Sequence, residues 1–207
     1  MKLDPFYLIV DSADWIERLV PLGVKLVQLR MKNQQDHVLR AHIRRAKQVC
    51  DKYDCRLILN DYWQLAIEEG CGFIHLGQED LSGADLDAIR AAELKLGVST
   101  HDGEELGTAL AANPDYVALG PVYPTILKQM KWAPQGLSRI RAWKDRLGAL
   151  PLVAIGGLTP ERLEDVFKHR ADSAAVVTDI TLNPDPEART CEWIERTAKW
   201  RNLLPTF

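Results

Sequence analysis

The stretch RLILNDYWQLAIEEGCGFIHLGQED, residues 56–80, decides the fold. A short apolar run at Arg56–Asn60 is followed by a helical pattern at Tyr62–Glu69 and by a second apolar run at Phe73–Leu76. Two β-rich runs separated by an amphipathic segment are typical of a strand–helix–strand unit. Because the helical crossover returns the chain to the same end of the sheet, we predict that the two strands run parallel.

The same alternation extends over the chain. Six further runs have the composition of strands: Phe6–Val10, Leu26–Arg30, Lys95–Ser99, Tyr116–Gly120, Leu152–Gly156 and Ser173–Thr178. Helical patterns lie between most of them, at Asp14–Leu22, Asp36–Tyr53, Asp102–Ala112, Ser138–Leu147 and Pro160–His169, with a shorter connection at Ala84–Ala92 and a closing helix at Pro186–Leu203. Eight strand–helix units favour an α/β fold of the (β/α)8 TIM barrel type, forming a single domain over residues 1–207.

Composition argues against several classes of partner. The chain is 46% hydrophobic and 27% charged with a formal net charge of −3, so nothing in its charge points to nucleic acid or a membrane surface. Phe6–Val10 is too short for a signal peptide, and no run approaches the roughly 20 apolar residues of a membrane span. The spacing of Cys50, Cys55, Cys71 and Cys191 fits neither a redox motif nor a zinc finger. We therefore expect reduced, packed thiols in a cytoplasmic protein, and leave a homo-oligomer open.

Polar side chains follow the second strand run. The active site of a TIM barrel lies at the carboxyl ends of its strands, which is where these side chains would be. Gln28, Arg30 and Lys32 alternate there, and a period of two places them on one side of the strand. An amide and two cations suit a diphosphate, which a guanidinium binds bidentately and an ammonium binds as a point charge. Structural ion pairs with Asp61 or Asp80 are the alternative.

Asp61 and Asp80 follow the third and fourth strand runs, so their carboxylates can meet above the barrel rim. Mg²⁺ favours such a pair, because it takes one or two protein carboxylates and completes its shell with water and phosphate oxygens. Acid/base catalysis, or simple neutralisation of Arg30 and Lys32, would use the same two residues.

Gly156-Gly157 ends the seventh run and Thr178 ends the eighth, where barrels commonly bind phosphate through backbone N–H groups and a hydroxyl. A tight turn without a ligand is the alternative. His75 and His101 also lie at strand ends. They either transfer protons or form hydrogen bonds beneath a polar site, and the sequence assigns neither a chemical step.

Six motifs, in order, carry a family pattern: Gln28–Lys32, Asn60-Asp61, His75–Leu81, Gly97–His101, Gly120–Lys128 and Ile155–Gly157. From about Tyr7 to Ile180 the chain resembles the thiamine phosphate synthase family. The resemblance implies a transferase of thiamine biosynthesis that uses Mg²⁺. Such an enzyme joins 4-amino-2-methyl-5-hydroxymethylpyrimidine diphosphate, here the pyrimidine diphosphate, to a thiazole phosphate. Diphosphate leaves first, and the thiazole nitrogen attacks the resulting methylene cation.

The resemblance also assigns residues. It implies that the pyrimidine diphosphate is bound by Gln28, Arg30, Lys32, Asn60, Ser99 and Lys128, and that Mg²⁺ is held by Asp61 and Asp80. The matching thiazole phosphate site is Thr125, Gly157, Val177 and Thr178, with Leu127 included in the substrate site. Catalysis is assigned to Arg30, Lys32, Lys128 and Ser99. The three cations would stabilise charge that grows on the leaving diphosphate.

Two residues depart from the family pattern. Leu127 stands where a threonine is usual, and Asp179 brings a carboxylate close to the expected thiazole phosphate. Pointing inward, Asp179 would repel that ligand. Three alternatives therefore stand beside the synthase. They are a thiazole tautomerase-like enzyme, a non-catalytic regulator that binds a thiamine-pathway metabolite, and a phosphate-binding barrel of another pathway. A tautomerase would need neither the cations and carboxylates of the rim nor Lys128.

Overall fold

The computed structural model of the protein describes residues 1–125 and 133–203. Its strands close into one barrel in which every neighbouring pair is parallel. The strands are β1 Phe6–Val10, β2 Leu26–Leu29, β3 Arg56–Asn60, β4 Phe73–Leu76, β5 Lys95–Thr100, β6 Tyr116–Leu119, β7 Leu152–Ile155 and β8 Ser173–Val176. Pairing of β1 with β8 closes the ring and confirms the predicted (β/α)8 fold.

Helices alternate with the strands and cover the barrel. They are α1 Ala13–Leu19, α2 Asp36–Lys52, α3 Trp63–Glu68, α4 Gln78–Ser82, α5 Leu86–Ala91, α6 Gly103–Ala111, α7 Gly136–Leu147, α8 Leu163–Lys168, α9 Thr178–Thr181 and α10 Pro186–Leu203. Short 3₁₀ turns follow α1 and precede α8. Across residues 1–125 and 133–203, no helix has both the length and the apolar character that crossing a membrane requires.

Side-chain alternation divides the core into two parts. Inward-facing residues form a cluster inside the barrel that includes Tyr7, Ile58, Phe73, Tyr116 and Val153. The intervening residues pack against the surrounding helices. Because a strand repeats every two residues, the polar positions two places beyond inward-facing apolar residues also face the interior, near the carboxyl ends of β2–β5. The core thus fixes the direction of the polar side chains at the rim.

The structure differs from the sequence prediction mainly after β4 and β8. Short helices begin at Gln78 and Thr178, so the predicted eighth strand ends at Val176 instead of Thr178. The backbone of Val177 (φ −126°, ψ −83°) has left the extended region, which turns the chain directly into α9. The polar residues that follow both strands therefore lie on or beside a helical turn.

The cysteines agree with the prediction at three of the four positions. Cys50, Cys55 and Cys71 are buried, and none of the four, all within described segments, forms a disulfide. Cys191 is exposed, so the expectation that it is packed was wrong. Thr190 and Trp193 supply the buried face of α10 at this turn, which leaves Cys191 on the solvent side.

Candidate active site

The ends of β2–β5 carry five of the six residues predicted to bind the pyrimidine diphosphate, all except Lys128. Gln28 and Asn60 are only 2% and 4% exposed, Ser99 is half-buried, and Arg30 is exposed at the mouth of the barrel. The strand register places Asn60 directly beside His75. We call this part of the rim the cationic side; its members are Gln28, Arg30, Lys32, Asn60, Asp61, Asp80 and Ser99.

A carboxyl pair lies above the ends of β3 and β4. The Asp80 carboxyl is close enough to hydrogen-bond with that of Asp61, and the Lys32 Nζ lies 3.3 Å from Asp61 Oδ2. Burial raises the pKa of Asp61, Lys32 opposes this effect, and the neighbouring Asp80 carboxyl adds to it. The ion pair considered as an alternative thus exists for Lys32, whereas Arg30 forms none with a described residue.

The backbone at the carboxyl pair is also unusual. Asp61 adopts a left-handed conformation with φ +67°, which is uncommon for a non-glycine residue. Its N–H donates to the His75 carbonyl at 2.9 Å, which ties this conformation to β4. Non-glycine residues held in the left-handed region concentrate at functional sites, where surrounding contacts maintain them.

The carboxyl pair fits a hard divalent cation. Two ionised carboxylates within hydrogen-bonding reach repel each other, and a divalent cation between them would remove this repulsion. In the described part of the chain, no group of three or more Asp, Glu, His or Cys residues is arranged to hold a metal. Two carboxylates are nevertheless enough protein ligands for Mg²⁺, whose remaining ligands are usually water and phosphate oxygens.

Asn60 carries an unsatisfied hydrogen-bond donor. Its buried Nδ2 has no partner among the described residues. Leaving a buried amide donor unpaired costs about 1–3 kcal/mol. Asn60 lies two residues after Ile58, which belongs to the interior cluster, so its side chain also faces the barrel interior. A ligand acceptor that reached Nδ2 would recover this energy.

A hydrogen-bonded chain of side chains crosses the interior below the cationic side. Gln28 Nε2 donates to Tyr7 Oη at 2.7 Å, and the Tyr7 and Tyr116 hydroxyls lie 3.0 Å apart. The Tyr116 hydroxyl is 2.6 Å from His75 Nδ1, and His75 Nε2 is 2.8 Å from Ser99 Oγ. Burial, with a smaller effect from Arg30, lowers the pKa of His75 to about 3. His75 is therefore neutral and belongs to a polar network beneath the site.

The opposite part of the rim, which we call the glycine side, consists of Gly156, Gly157, Val177 and Thr178. A Cβ on Gly157 would lie 2.4 Å from the Pro124 carbonyl oxygen, and the residue has φ +63°, so only glycine fits there. The Tyr123 N–H donates to the Gly156 carbonyl at 3.0 Å. The glycines thus allow the loop after β6 to pack on the end of β7. The tight turn considered as an alternative therefore accounts for the two glycines. Thr178 lies half-buried on the neighbouring turn.

Asp179 does not point into the site. Its carboxylate accepts hydrogen bonds from Arg189 Nε at 2.8 Å and Nη2 at 2.9 Å. It also accepts one from Trp193 Nε1 at 2.7 Å. Both partners lie on α10, outside the barrel. The concern that Asp179 repels a phosphate is therefore removed, because its charge is paired on the outer side of α9.

Two predicted site residues, Leu127 and Lys128, lie outside the described residues. Thr125 is half-buried at the edge of the described segment. Of the two histidines, His75 joins the interior network, whereas the His101 Nδ1 pairs with Glu105 Oε2 at 2.7 Å on α6. The second alternative for these histidines, hydrogen bonding beneath a polar site, describes His75.

Sequence reasoning missed Tyr7, Tyr116 and Arg162. Gly97 gives a usable signal for Tyr116, because a Cβ there would lie 2.1 Å from the Tyr116 ring and the two residues are register partners. Arg162 donates to the Gly157 carbonyl and lies 4.4 Å from the centre of the Tyr123 ring. No motif predicts this contact, since it depends on how two loops fold together.

Comparison with known proteins identifies the family. Residues 6–180 match the model of the thiamine monophosphate synthase family. The chain is 70% identical over 203 residues to a thiamine-phosphate synthase of Rhizobium etli, covering 98% of this chain and all of that one. It is 49% identical over 189 residues to a thiamine-phosphate synthase of Salmonella schwarzengrund, covering 91% of this chain and 90% of that one.

The fold has a matching solved structure. A thiamine phosphate pyrophosphorylase from Pyrococcus furiosus superimposes with a TM-score of 0.84 at 23% identity, covering 95% of this chain and 96% of that one. This likeness supports the barrel, and the sequence matches extend over the strands that carry both sides of the rim. The chain belongs to the thiamine monophosphate synthase family.

Proposed function

We propose that this protein is a thiamine-phosphate synthase that acts on the pyrimidine diphosphate and a thiazole phosphate, giving thiamine phosphate and diphosphate. The observation that carries the proposal is the carboxyl pair of Asp61 and Asp80, with the Lys32 Nζ 3.3 Å from Asp61 Oδ2 and Arg30 exposed at the same rim. Cations and a carboxylate pair at one rim suit a metal-bound diphosphate better than a neutral ligand. The names of the two bacterial relatives agree with this substrate class.

The cationic side would bind the leaving group. Arg30 can hold two diphosphate oxygens at once, and Lys32 can exchange its contact with Asp61 for one with the ligand. Asp61 and Asp80 would hold Mg²⁺, which when bound supplies positive charge to the diphosphate oxygens. Asn60 Nδ2 would donate to a ring acceptor of the pyrimidine and satisfy its unpaired donor.

The chemistry needs no nucleophile from the protein. The bond between the pyrimidine methylene carbon and the diphosphate oxygen breaks, and its electron pair leaves with diphosphate. The electron-rich aminopyrimidine stabilises the methylene cation until the thiazole nitrogen donates its lone pair to form the new bond. Arg30, Lys32, Ser99 and Lys128 are proposed to act by stabilising charge on the leaving group. Gln28 and Asn60, which are both buried, would line the site beneath the cation.

The glycine side would hold the thiazole phosphate through backbone N–H groups near Gly157 and the hydroxyl of Thr178. Val177, Thr125 and Leu127 are proposed to complete this site. The outward direction of Asp179 favours the synthase over the regulator, because that carboxylate was one of two residues that suggested a regulator. We also propose that the protein acts in the cytoplasm, since none of its cysteines is paired.

The test is formation of thiamine phosphate by the purified protein with both substrates and Mg²⁺. We expect product and diphosphate in equal amounts, dependent on the thiazole phosphate. Arg30→Ala should reduce kcat/KM by about 100-fold, whereas Arg44→Ala, which removes a surface ion pair with Glu69, should leave the rate unchanged. Tight binding of both substrates without product would contradict the proposal and favour a regulator.

A further inference from the structure

The chain of hydrogen bonds from Gln28 to Ser99 has only two consistent arrangements of its hydrogens. Each hydroxyl donates one hydrogen, and each neutral imidazole has one nitrogen that donates and one that accepts. The links run through Tyr7, Tyr116 and His75 without a branch to another described side chain. The direction of one hydrogen bond therefore fixes the direction of the rest.

Gln28 sets the direction. An amide nitrogen can only donate, so Tyr7 accepts from Nε2 and has its own hydrogen to give. Tyr7 is 1% exposed, and the remaining partner of its hydroxyl is Tyr116. Tyr116 then accepts from Tyr7 and donates to His75 Nδ1. The hydrogen of the imidazole is left on Nε2.

Ser99 receives the result at the rim. His75 Nε2 donates to Ser99 Oγ at 2.8 Å, so the Ser99 hydrogen is free to point toward a ligand. A protonated His75 would donate from both nitrogens and leave one buried tyrosine hydrogen without an acceptor, and burial also keeps the imidazole neutral. In the reverse arrangement the Ser99 hydrogen would point to His75, and its lone pairs would face an anionic ligand.

We propose that Tyr7, Tyr116 and His75 are positioning residues, which transmit the amide orientation of Gln28 to Ser99 and hold the Ser99 hydroxyl as a donor to the pyrimidine diphosphate. This inference rests on the proposed function, since it names the same ligand. Gln28 and Ser99 lie on different strands, and neither motif alone shows that they act together. Two phenols and an imidazole inside the barrel connect them.

The first readout is the tautomer of His75, measured from the ¹⁵N chemical shifts of its ring. We expect the wild-type protein to carry the hydrogen on Nε2 near neutral pH. Tyr116→Phe, which keeps the ring and removes the hydroxyl, should release the constraint and give a mixture of tautomers. A wild-type His75 with the hydrogen on Nδ1 would overturn the inference, because the Ser99 hydroxyl would then face His75.

The second readout is steady-state kinetics. Tyr116→Phe and Tyr7→Phe interrupt the chain at different links, and each should lower kcat/KM for the pyrimidine diphosphate by about tenfold. Adding Ser99→Ala to Tyr116→Phe should cause no loss beyond that of Ser99→Ala alone. Independent, multiplicative losses would contradict the inference, since the tyrosine would then act elsewhere.

Thr100→Val is the matched control. The Thr100 hydroxyl is also buried on β5, but it faces outward and bonds to the Ala118 carbonyl and to Trp143. Its loss should lower stability without changing the His75 tautomer.

If the wild-type protein made no thiamine phosphate, the proposed function would fail. The tautomer, and the affinity for inorganic diphosphate in wild type and Tyr116→Phe, would still decide this inference.

Discussion

The cationic side is built from side chains, whereas the glycine side is built largely from backbone. On the cationic side, the Asp61 carboxyl contacts both Lys32 and the Asp80 carboxyl, and the buried Asn60 Nδ2 has no partner among the described residues. On the glycine side, Gly157 is packed against the Pro124 carbonyl, and the carboxylate of Asp179, which follows Thr178, is paired outside the barrel. The first side therefore presents an unsatisfied donor and a pair of carboxyl groups, whereas the second presents mainly backbone beside a tightly packed turn.

The largest effect is expected from the carboxyl pair. Asp80→Asn keeps the shape of the side chain but removes one of the two charges, so it should lower kcat by about 100-fold or more at low Mg²⁺. High Mg²⁺ should restore part of the activity. Initial rates over a Mg²⁺ series test this prediction, with Asp87→Asn on the exposed face of α5 as control. An unchanged Mg²⁺ dependence would remove the metal from the cationic side.

A substitution on the glycine side should act through shape. Gly157→Ala places a Cβ 2.4 Å from the Pro124 oxygen in a left-handed backbone, which should cost about 2–3 kcal/mol of stability. The displaced loop should raise KM for the thiazole phosphate about tenfold and leave the Mg²⁺ dependence intact. Gly107→Ala on α6 is the control and should be neutral or stabilising, because the added Cβ would meet no described atom within 4 Å beyond its chain neighbours and its own helix backbone. Thermal unfolding and substrate kinetics measure both.

The neutral imidazole beneath the cationic side should make stability depend on pH. His75 has a pKa of about 3 in the folded protein, against 6.5 for an ordinary histidine. The unfolded chain therefore binds the extra proton between these values. The contribution of the neutral His75 to the free energy of unfolding is fully present above pH 6.5. It declines by about 1.4 kcal/mol per pH unit as the pH falls toward 3.

The measurement is the free energy of unfolding of wild type and His75→Gln by denaturant titration between pH 7 and pH 4. Both proteins share the titration of other groups, so the difference between their slopes isolates His75. Equal slopes would mean that the imidazole is not held neutral inside the barrel. The glycine-side control, Thr178→Val, should keep the wild-type slope.

The smallest effect on activity is expected at Asp179. Asp179→Ala removes the acceptor of Trp193 and the partner of Arg189, which should cost about 1–3 kcal/mol of stability. Because the carboxylate points away from the rim, KM for the thiazole phosphate should change less than about twofold. Asp179→Asn, which keeps one acceptor, should lose less stability. A large improvement of KM in Asp179→Ala would show that the charge does reach the ligand.

Side-chain motifs made the cationic side predictable. Strand periodicity and parallel crossovers give the barrel, and the barrel brings residues that follow neighbouring strands, such as Asp61 and Asp80, together. The direction of Asp179 was not predictable, because it depends on Arg189 and Trp193 on a helix that follows it. Strand alternation gives no direction for this carboxylate, because Asp179 lies on α9, beyond the end of β8.

The interior network shows the same limit. Tyr7 and Tyr116 lie at inward-facing positions of the strand alternation, like the apolar core residues around them. Their aromatic rings therefore suggest only packing. That their hydroxyls meet between Gln28 and His75 depends on barrel closure and on the space left by Gly97. A glycine paired with a tyrosine on the neighbouring strand can be recognised in the sequence only after the strand register is known.

Equilibrium titration of the wild-type protein with each substrate, with Mg²⁺ and with EDTA, will show whether the two sides bind different anions by different means. We predict that Mg²⁺ tightens binding of the pyrimidine diphosphate at least about tenfold and changes binding of the thiazole phosphate less than about twofold. If both ligands required Mg²⁺ equally, or neither did, the division of the rim into a cationic side and a glycine side would be wrong.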